Sequence, residues 1–468
     1  MPARARALAR ALPAARVLAA CGLIGALPAA PAARAAGEAP AWSLPAVLSA
    51  CPVAGAPLVV FPSDSPLHAT GAGALVWENS RACPGGQRMH LAALGEGDLP
   101  GPARLPRSGG GRAFLLRGAL VAGGGPLGQI VIAGSSAVRP GEAQLVQGSA
   151  AGPFSAPALG RAAAPPLALD SAYLGDVALA SGAPGGAGAI AVSIERHGAR
   201  RFNAAIAARA PGGGTVRGLT VALDYRSDAV AVWQQAGALY ARDLPASGPP
   251  RSIQRLGSAG PEVHVAAMRS DDERAIVAWS DERAGVSSVY AVLTAPGVRF
   301  GVPTLLERFI DPEGMAAPAA SPRLVRLRSE SVMMAWAGAV AGHWVLRTAA
   351  VDLLGVRAIN TISAAGGGDA LLADLAPAPD GGALALWTEP RAGTQGAPDL
   401  ARQALMAAHG FDLYPGLTRF GEPEQVAAPG PVGSAAVAFD PSDDRALAAW
   451  SGAGGALEFA LRSPPPAP

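Results

Sequence analysis

Arg274-Ala275-Ile276-Val277-Ala278-Trp279-Ser280-Asp281-Glu282-Arg283-Ala284-Gly285 is the stretch whose reading decides the fold. As a strand, it sends Ile276 and Ala278 to one face and Ala275, Val277 and Trp279 to the other, because strand side chains alternate. A sheet with one wet face alternates apolar with polar, so this strand must be covered on both sides. Its neighbours complete a unit. Residues 262–269 alternate as a preceding strand, and Ser270-Asp271-Asp272-Glu273 makes a polar turn. Residues 288–294, with Val289-Tyr290-Ala291, form a third strand, and residues 302–308 a shorter fourth. Four antiparallel strands make one propeller blade.

The same phrase returns along the chain. Clear copies are Ala74-Leu75-Val76-Trp77, Val230-Ala231-Val232-Trp233, Met333-Met334-Ala335-Trp336, Leu384-Ala385-Leu386-Trp387 and Leu447-Ala448-Ala449-Trp450. Two copies lack the tryptophan, Ile130-Val131-Ile132-Ala133 and Ile190-Ala191-Val192-Ser193. From Trp77 through Ala133, Ser193, Trp233, Trp279, Trp336 and Trp387 to Trp450, the anchors advance by 56, 60, 40, 46, 57, 51 and 63 residues. Such steps fit a blade plus insertions. The pattern predicts an all-β chain: a β-propeller of seven to eight four-stranded antiparallel blades, eight favoured. The unit at 167–209 decides between seven and eight. Residues 400–409 read as a strand or a short helix. The last unit offers three strands before a proline tail that cannot pair, leaving an open edge. The segment 42–48 is expected to supply its fourth strand and close the ring. The domain reading is therefore a leader at 1–35, an N-terminal segment at 36–57, the propeller at 58–462 and a tail at 463–468.

The first 35 residues contain five arginines and no acid, so without them the formal charge of +2 becomes −3. A weakly acidic mature chain argues against nucleic acid or an anionic membrane as partner. The leader has a basic segment to Arg16, an apolar run from Val17 to Leu27 and a cleavage signal at Ala33-Arg34-Ala35. A rival reading takes Leu18-Ala19-Ala20-Cys21 as a lipoprotein box. No other stretch has the length of a membrane span. Export leaves Cys51 and Cys83, which read as one disulfide or as two free thiols.

Ala278-Trp279-Ser280-Asp281-Glu282-Arg283-Ala284-Gly285 with Val289-Tyr290-Ala291, and Leu386-Trp387-Thr388-Glu389-Pro390-Arg391-Ala392-Gly393, resemble the repeat of secreted bacterial β-propellers of the broad sialidase-like group. The resemblance covers residues 58–462 as a repeat pattern and suggests an actinobacterial exported propeller. It implies the fold and not an activity, because one fold hosts many functions. A full Asp-box of the S-x-D-x-G-x-x-W kind is missing, and Ser270-Asp271-Asp272 and Ser442-Asp443-Asp444 come nearest. Sialidase activity is not carried over.

Catalytic signatures are sparse. His68, His90, His197, His264, His343 and His409 lack ligand spacing, so no metal site is expected. There is no G-x-S-x-G elbow. Gly123, Gly125 and Gly128 satisfy G-x-G-x-x-G, but another strand follows where a phosphate cradle needs a helix, so the motif reads as a glycine hairpin. The acidic turns at 224–228, 271–274 and 440–444 read as turn chemistry rather than calcium sites. An acid and an arginine do return after the second strand: Asp281 with Arg283, Glu389 with Arg391, Glu195 with Arg196 and His197, and Glu78 with Arg81. The resemblance puts this turn on the face where ligands sit.

A ring of such groups suits a glycan, peptide or carboxylate ligand, with arginine supplying bidentate contacts. Glu195, His197, Asp281, Arg283, Glu389 and Arg391 are the ligand-binding candidates. The same pairs also read as local ion pairs stiffening each hairpin, worth about 0.2–1 kcal/mol when exposed. The expectation is a secreted, non-catalytic monomer without cofactor that binds an extracellular protein or polysaccharide through its loop face. The rivals are a glycan-active hydrolase, which needs two carboxylates about 5 to 9.5 Å apart, and a structural subunit of an envelope assembly.

Overall fold

A computed structural model describes residues 42–62, 73–95, 98–125, 128–139, 141–157, 159, 163–172, 174–183, 188–196, 201–203, 206–260, 262–270, 274–294, 299–310, 312, 321–327, 331–352, 355–363, 369–392, 398–414, 417–441 and 445–463. The expected leader with Cys21, the turn residues Asp271-Asp272-Glu273 and Ser442-Asp443-Asp444, Pro126, His68, His197 and residues 464–468 lie outside the described residues.

The chain forms eight antiparallel sheets, the blades of an eight-bladed propeller. Their innermost strands are, in order, Leu58–Val60, Leu116–Gly124, Ala164–Ser171, Arg217–Leu223, His264–Arg269, Arg323–Arg326, Leu371–Pro377 and Ala435–Phe439. Each touches the next, and the last touches the first, so the ring is closed. A short 3-10 turn lies at Ala453–Gly455 in blade eight. No helix of the described residues is long and apolar enough to cross a membrane.

Alternation within the second strands builds the ring. Ile276 and Ala278 pack with Val332, Met334 and Trp336 of blade six, while Val277 and Trp279 pack with Val230, Val232 and Leu256 of blade four. Each remaining junction between neighbouring blades has a comparable apolar cluster. A strand sandwiched between two blades must be apolar on both faces, and alanine lets adjacent sheets approach closely. Polar stitches add to this near the axis. Asp170 on blade three accepts the Leu223 N–H at 2.8 Å, and Asp374 on blade seven accepts the Val437 N–H at 3.0 Å, each on the next innermost strand. Burial pushes the Asp170 carboxyl up to about 6. Arg269 Nε lies 3.2 Å from Asp224 Oδ2, and the Arg269 carbonyl accepts from Arg326 Nη2 at 2.9 Å, tying blades four, five and six.

The spare N-terminal strand closes the ring as expected. Ala46–Ser49 pairs with Leu457–Arg462 of blade eight, and Trp42 bridges Arg462. Cys51 and Cys83 form a disulfide just beyond this strand, clipping it to blade one. Val53 N–H donates to the Gly455 carbonyl of blade eight, and Ser80 N–H to the Pro52 carbonyl, so the clip straddles the junction. The ambiguous stretch at 400–409 lies within the strand Pro398–Tyr414. Gly125 N–H donates to the Gln129 carbonyl between two antiparallel strands, a hairpin and not a phosphate cradle.

Three expectations need correction. In blade three the strand Ile190–Glu195 is third, not second; the second is Val177–Gly182. Both are short and apolar on both faces and neither has a tryptophan, so the sequence pattern could not rank them. Blade one has three regular strands, with the isolated bridges Leu91↔Arg104 and Leu94↔Pro100 beside its third. The fourth strand of blade five is Thr304–Ile310, beginning two residues after Val302 because Pro303 has no N–H to give a ladder.

Candidate functional site

Trp279, Asp281 and Arg283 leave one face of their strand at period two, and the register sets them opposite Tyr290, Ser288 and Val286 of the third strand. Ala284 and Gly285 form the turn between them, both with positive φ, 52° and 73°. A two-residue turn of that kind matches the twist of the flanking strands and holds Arg283 at the hairpin end. Arg308 on the fourth strand lies beside Ser288, its Nε 3.3 Å from Ser288 Oγ. All these side chains face blade four, whose outer strand contributes Gly257 and Ser258.

The middle of the junction of blades four and five is packed with apolar groups; toward the hairpins that follow the second strands it opens into a groove. One chamber of about 390 Å³ is walled by Trp279, Asp281, Arg283, Ser288, Tyr290 and Arg308. A second, of about 610 Å³, is lined by Thr215, Arg217, Gln234 and Gly260 and shares Ser258 and Arg283 with the first. Both volumes fall in the range of ligand pockets. The groove has three arginines and one carboxylate, a cationic site on a chain that is weakly acidic without its first 35 residues.

The floor of the first chamber is aromatic: Trp279 and Tyr290 stack with centroids 5.2 Å apart and planes 18° from parallel. Trp233 and Tyr240 repeat the stack in blade four, at 5.9 Å and 29°. The two blades differ at the indole nitrogen. Trp233 Nε1 donates to Gln235 Oε1 at 3.1 Å, Trp77 to Asn79 at 2.9 Å and Trp387 to Glu389 at 2.8 Å, each two residues on. Trp336 and Trp450 donate to Glu307 and Glu458. Trp279 Nε1 is buried and has no acceptor. Asp281, at the matching position, turns away: Oδ1 accepts the Gly260 N–H at 2.6 Å and Oδ2 lies 2.8 Å from Arg283 Nε. A Cβ at 260 would stand 2.7 Å from Asp281 Oδ1, so a larger residue there would displace that carboxylate.

The candidate side chains that the structure describes, Glu195, Asp281, Arg283 and Glu389, do not converge, and His197 lies outside the described residues. Asp281 and Arg283 form an ion pair in the groove. Glu389 is spent on Trp387, and the side chain of Arg391 lies outside the described residues. Glu195 ends the third strand of blade three, at the opposite end of the blade from the hairpins that follow second strands. Its carboxyl is buried, one oxygen has no partner, and burial raises its pKa against a hydrogen bond from Gln147. Glu78 accepts from Gly118 N–H of blade two at 2.6 Å, while Arg81 donates to Gln87. Tyr290, Ser288, Arg308 and Ser258 were missed by sequence reasoning. The signal for two of them, Tyr290 and Ser288, was present, since the period-two pattern of Trp279, Asp281 and Arg283 predicts a facing set across the Ala284-Gly285 turn. The recurring Trp-x-[Asn/Gln/Glu] was also legible as an indole acceptor.

The sequence matches no protein-family model and no curated protein. Among solved structures, the chain is similar to a polysaccharide lyase of family PL25, an ulvan lyase, at 12% identity and TM-score 0.49, covering 88% of this chain and 94% of that one. It is also similar to the six-bladed fucose-recognising Aleuria aurantia lectin, at 9% identity and TM-score 0.34, covering 64% and 92%. A prolyl endopeptidase aligns at 16% identity and TM-score 0.39, covering 74% of this chain and 44% of that one.

Proposed function

We propose that the chain is an exported, non-catalytic binding propeller whose ligand lies in the groove between blades four and five. The observation that carries this is the coincidence of the repeated acid and arginine, Asp281 and Arg283, with an aromatic-floored cavity. Glu389 and Arg391 hold the related place on blade seven. Export is supported by the Cys51–Cys83 disulfide, a bond that persists in oxidising compartments. Binding without turnover is supported by the acids: Asp281 is the one carboxylate among the residues lining the groove, and it is engaged by Gly260 and Arg283. Asp170 and Asp374, on innermost strands, belong to blades on opposite sides of the ring, so they do not form a hydrolytic pair.

Affinity gel electrophoresis of the purified mature chain, against neutral and acidic extracellular polysaccharides and a matched set of soluble proteins, tests the reading. At least one polymer should retard the wild type, and Arg283→Ala should migrate freely, with no new reducing ends released. Retardation unchanged by Arg283→Ala, or steady release of reducing ends, would contradict it.

A further inference from the structure

We propose that the groove selects an acidic polysaccharide, whose carboxylate takes Arg283 from Asp281 while the freed Oδ2 of Asp281 passes to the idle indole of Trp279 and Oδ1 keeps the Gly260 N–H. This rests on the groove being the binding site and adds the class of ligand and the exchange that admits it.

Three observations converge. Trp279 is 1% exposed, and its Nε1 alone lacks an acceptor among the six tryptophans that close second strands. A buried N–H without a partner is costly, so its site favours any rearrangement that supplies an acceptor. The side chain two residues on is that acceptor in blades one, four and seven, and in blade five it is a carboxylate held elsewhere. Arg283 stands at the meeting point of the two chambers with its side chain 57% exposed, so an incoming carboxylate can reach the guanidinium that Asp281 holds. Arginine binds carboxylates through a planar two-donor fork, and the exposed Arg283 end of this pair is open to a second carboxylate while Asp281 stays buried. Arg217 and Arg308 lie in the two chambers on either side, a spacing that suits a chain bearing repeated negative charge rather than one small anion. The rest of the lining favours sugar over peptide. Thr215, Gln234, Ser258 and Ser288 offer hydroxyls and an amide, Tyr290 an aromatic face, and apolar side-chain pockets of the kind peptides occupy are missing from the two linings.

The experiment uses the full mature chain and three uronate polymers, polygalacturonate, alginate and hyaluronate, each beside its carboxyl-reduced neutral form. Retardation of wild type by at least one acidic polymer, weakened at least about tenfold by carboxyl reduction, is expected. Asp281→Asn keeps the acceptor for Gly260 and releases Arg283, so it should bind that polymer about three- to tenfold more tightly. The Trp279 indole proton, assigned by its loss in Trp279→Phe, should move downfield as a short fragment of the polymer is added. Equal binding of acidic and reduced forms overturns carboxylate selection and leaves the groove reading intact. Acid-selective binding that survives Arg283→Ala overturns both. Binding by none of the three polymers, weaker binding by Asp281→Asn, or an unmoved indole proton overturns the exchange.

Discussion

Asp281 lies two residues beyond Trp279, where Gln235 accepts the indole hydrogen of Trp233, yet it bonds Gly260 and Arg283 instead. The two blades are otherwise alike here, with a tryptophan stacked on the tyrosine opposite it in each. That single difference separates a closed structural latch from an open polar groove.

The two tryptophans should therefore differ in what their indole nitrogens contribute. Both are fully buried, so replacement by Phe costs each a similar packing loss. Only Trp233→Phe also removes a satisfied hydrogen bond, so it should cost about 1 kcal/mol more than Trp279→Phe. Urea midpoints of the two variants check this, and equal losses would show that the missing acceptor has no energetic meaning.

Ring closure should depend on the disulfide. The bond spans 32 residues of sequence, and closing such a loop is worth about 3.5 kcal/mol in the chain-entropy model. Cys51→Ser with Cys83→Ser should lower the unfolding free energy by roughly that amount while leaving the far-ultraviolet spectrum unchanged. Thermal and denaturant melts of the double variant measure it.

Removing residues 42–49 should expose a strand edge. Leu457–Arg462 would lose the pairing that Ala46–Ser49 provides, and an open edge recruits other chains. Light scattering of the truncated chain should show concentration-dependent association, and a monodisperse monomer would refute it.

Asp170 supplies a pH test. Its carboxyl, at about 6 when folded against 3.8 ordinarily, stays protonated more readily in the folded chain. The stabilisation is complete below about 3.8 and is lost as pH rises through about 6, because the folded state then gives up the extra proton. Asp170→Asn keeps an acceptor for Leu223 and cannot ionise. Relative to wild type it should gain on the order of 1–3 kcal/mol between pH 4 and pH 7.5. Denaturation at the two pH values reads the difference directly.

Much of this architecture could be read from residues alone. Ile276 and Val277 point to opposite faces whatever surrounds them, so burial on both sides follows from alternation, and the two neighbouring blades follow from burial. The closing strand was legible because a proline tail leaves blade eight one strand short. Blade three was misplaced because Val177–Gly182 and Ile190–Glu195 carry the same signal, and only pairing tells which lies nearer the axis. Placing the anchor at Ser181 instead of Ser193 turns the uneven steps of 60 and 40 residues, between Ala133 and Trp233, into 48 and 52. That regularity was the missed clue.

The candidate site was half legible for a related reason. Asp281 and Arg283 share one strand, so their proximity is local. Gly260 and Ser258 come from the connection and outer strand before blade five, and how closely they approach depends on how two blades pack. Glu389 goes to the indole two residues back on its own strand and Glu195 stands at the far end of its blade because its strand is third, though all three acids look alike in sequence.

Hydrogen–deuterium exchange of the chain, with and without the polymer that retards it most, tests the central claim most directly. Bound polymer should slow exchange at 214–217, 234–237, 257–260, 279–290 and 304–308, the two walls of the groove, and leave the innermost strands of the other blades unchanged. Protection centred on the innermost strands of the other blades, or on hairpins remote from blades four and five, would place the ligand elsewhere and contradict the account.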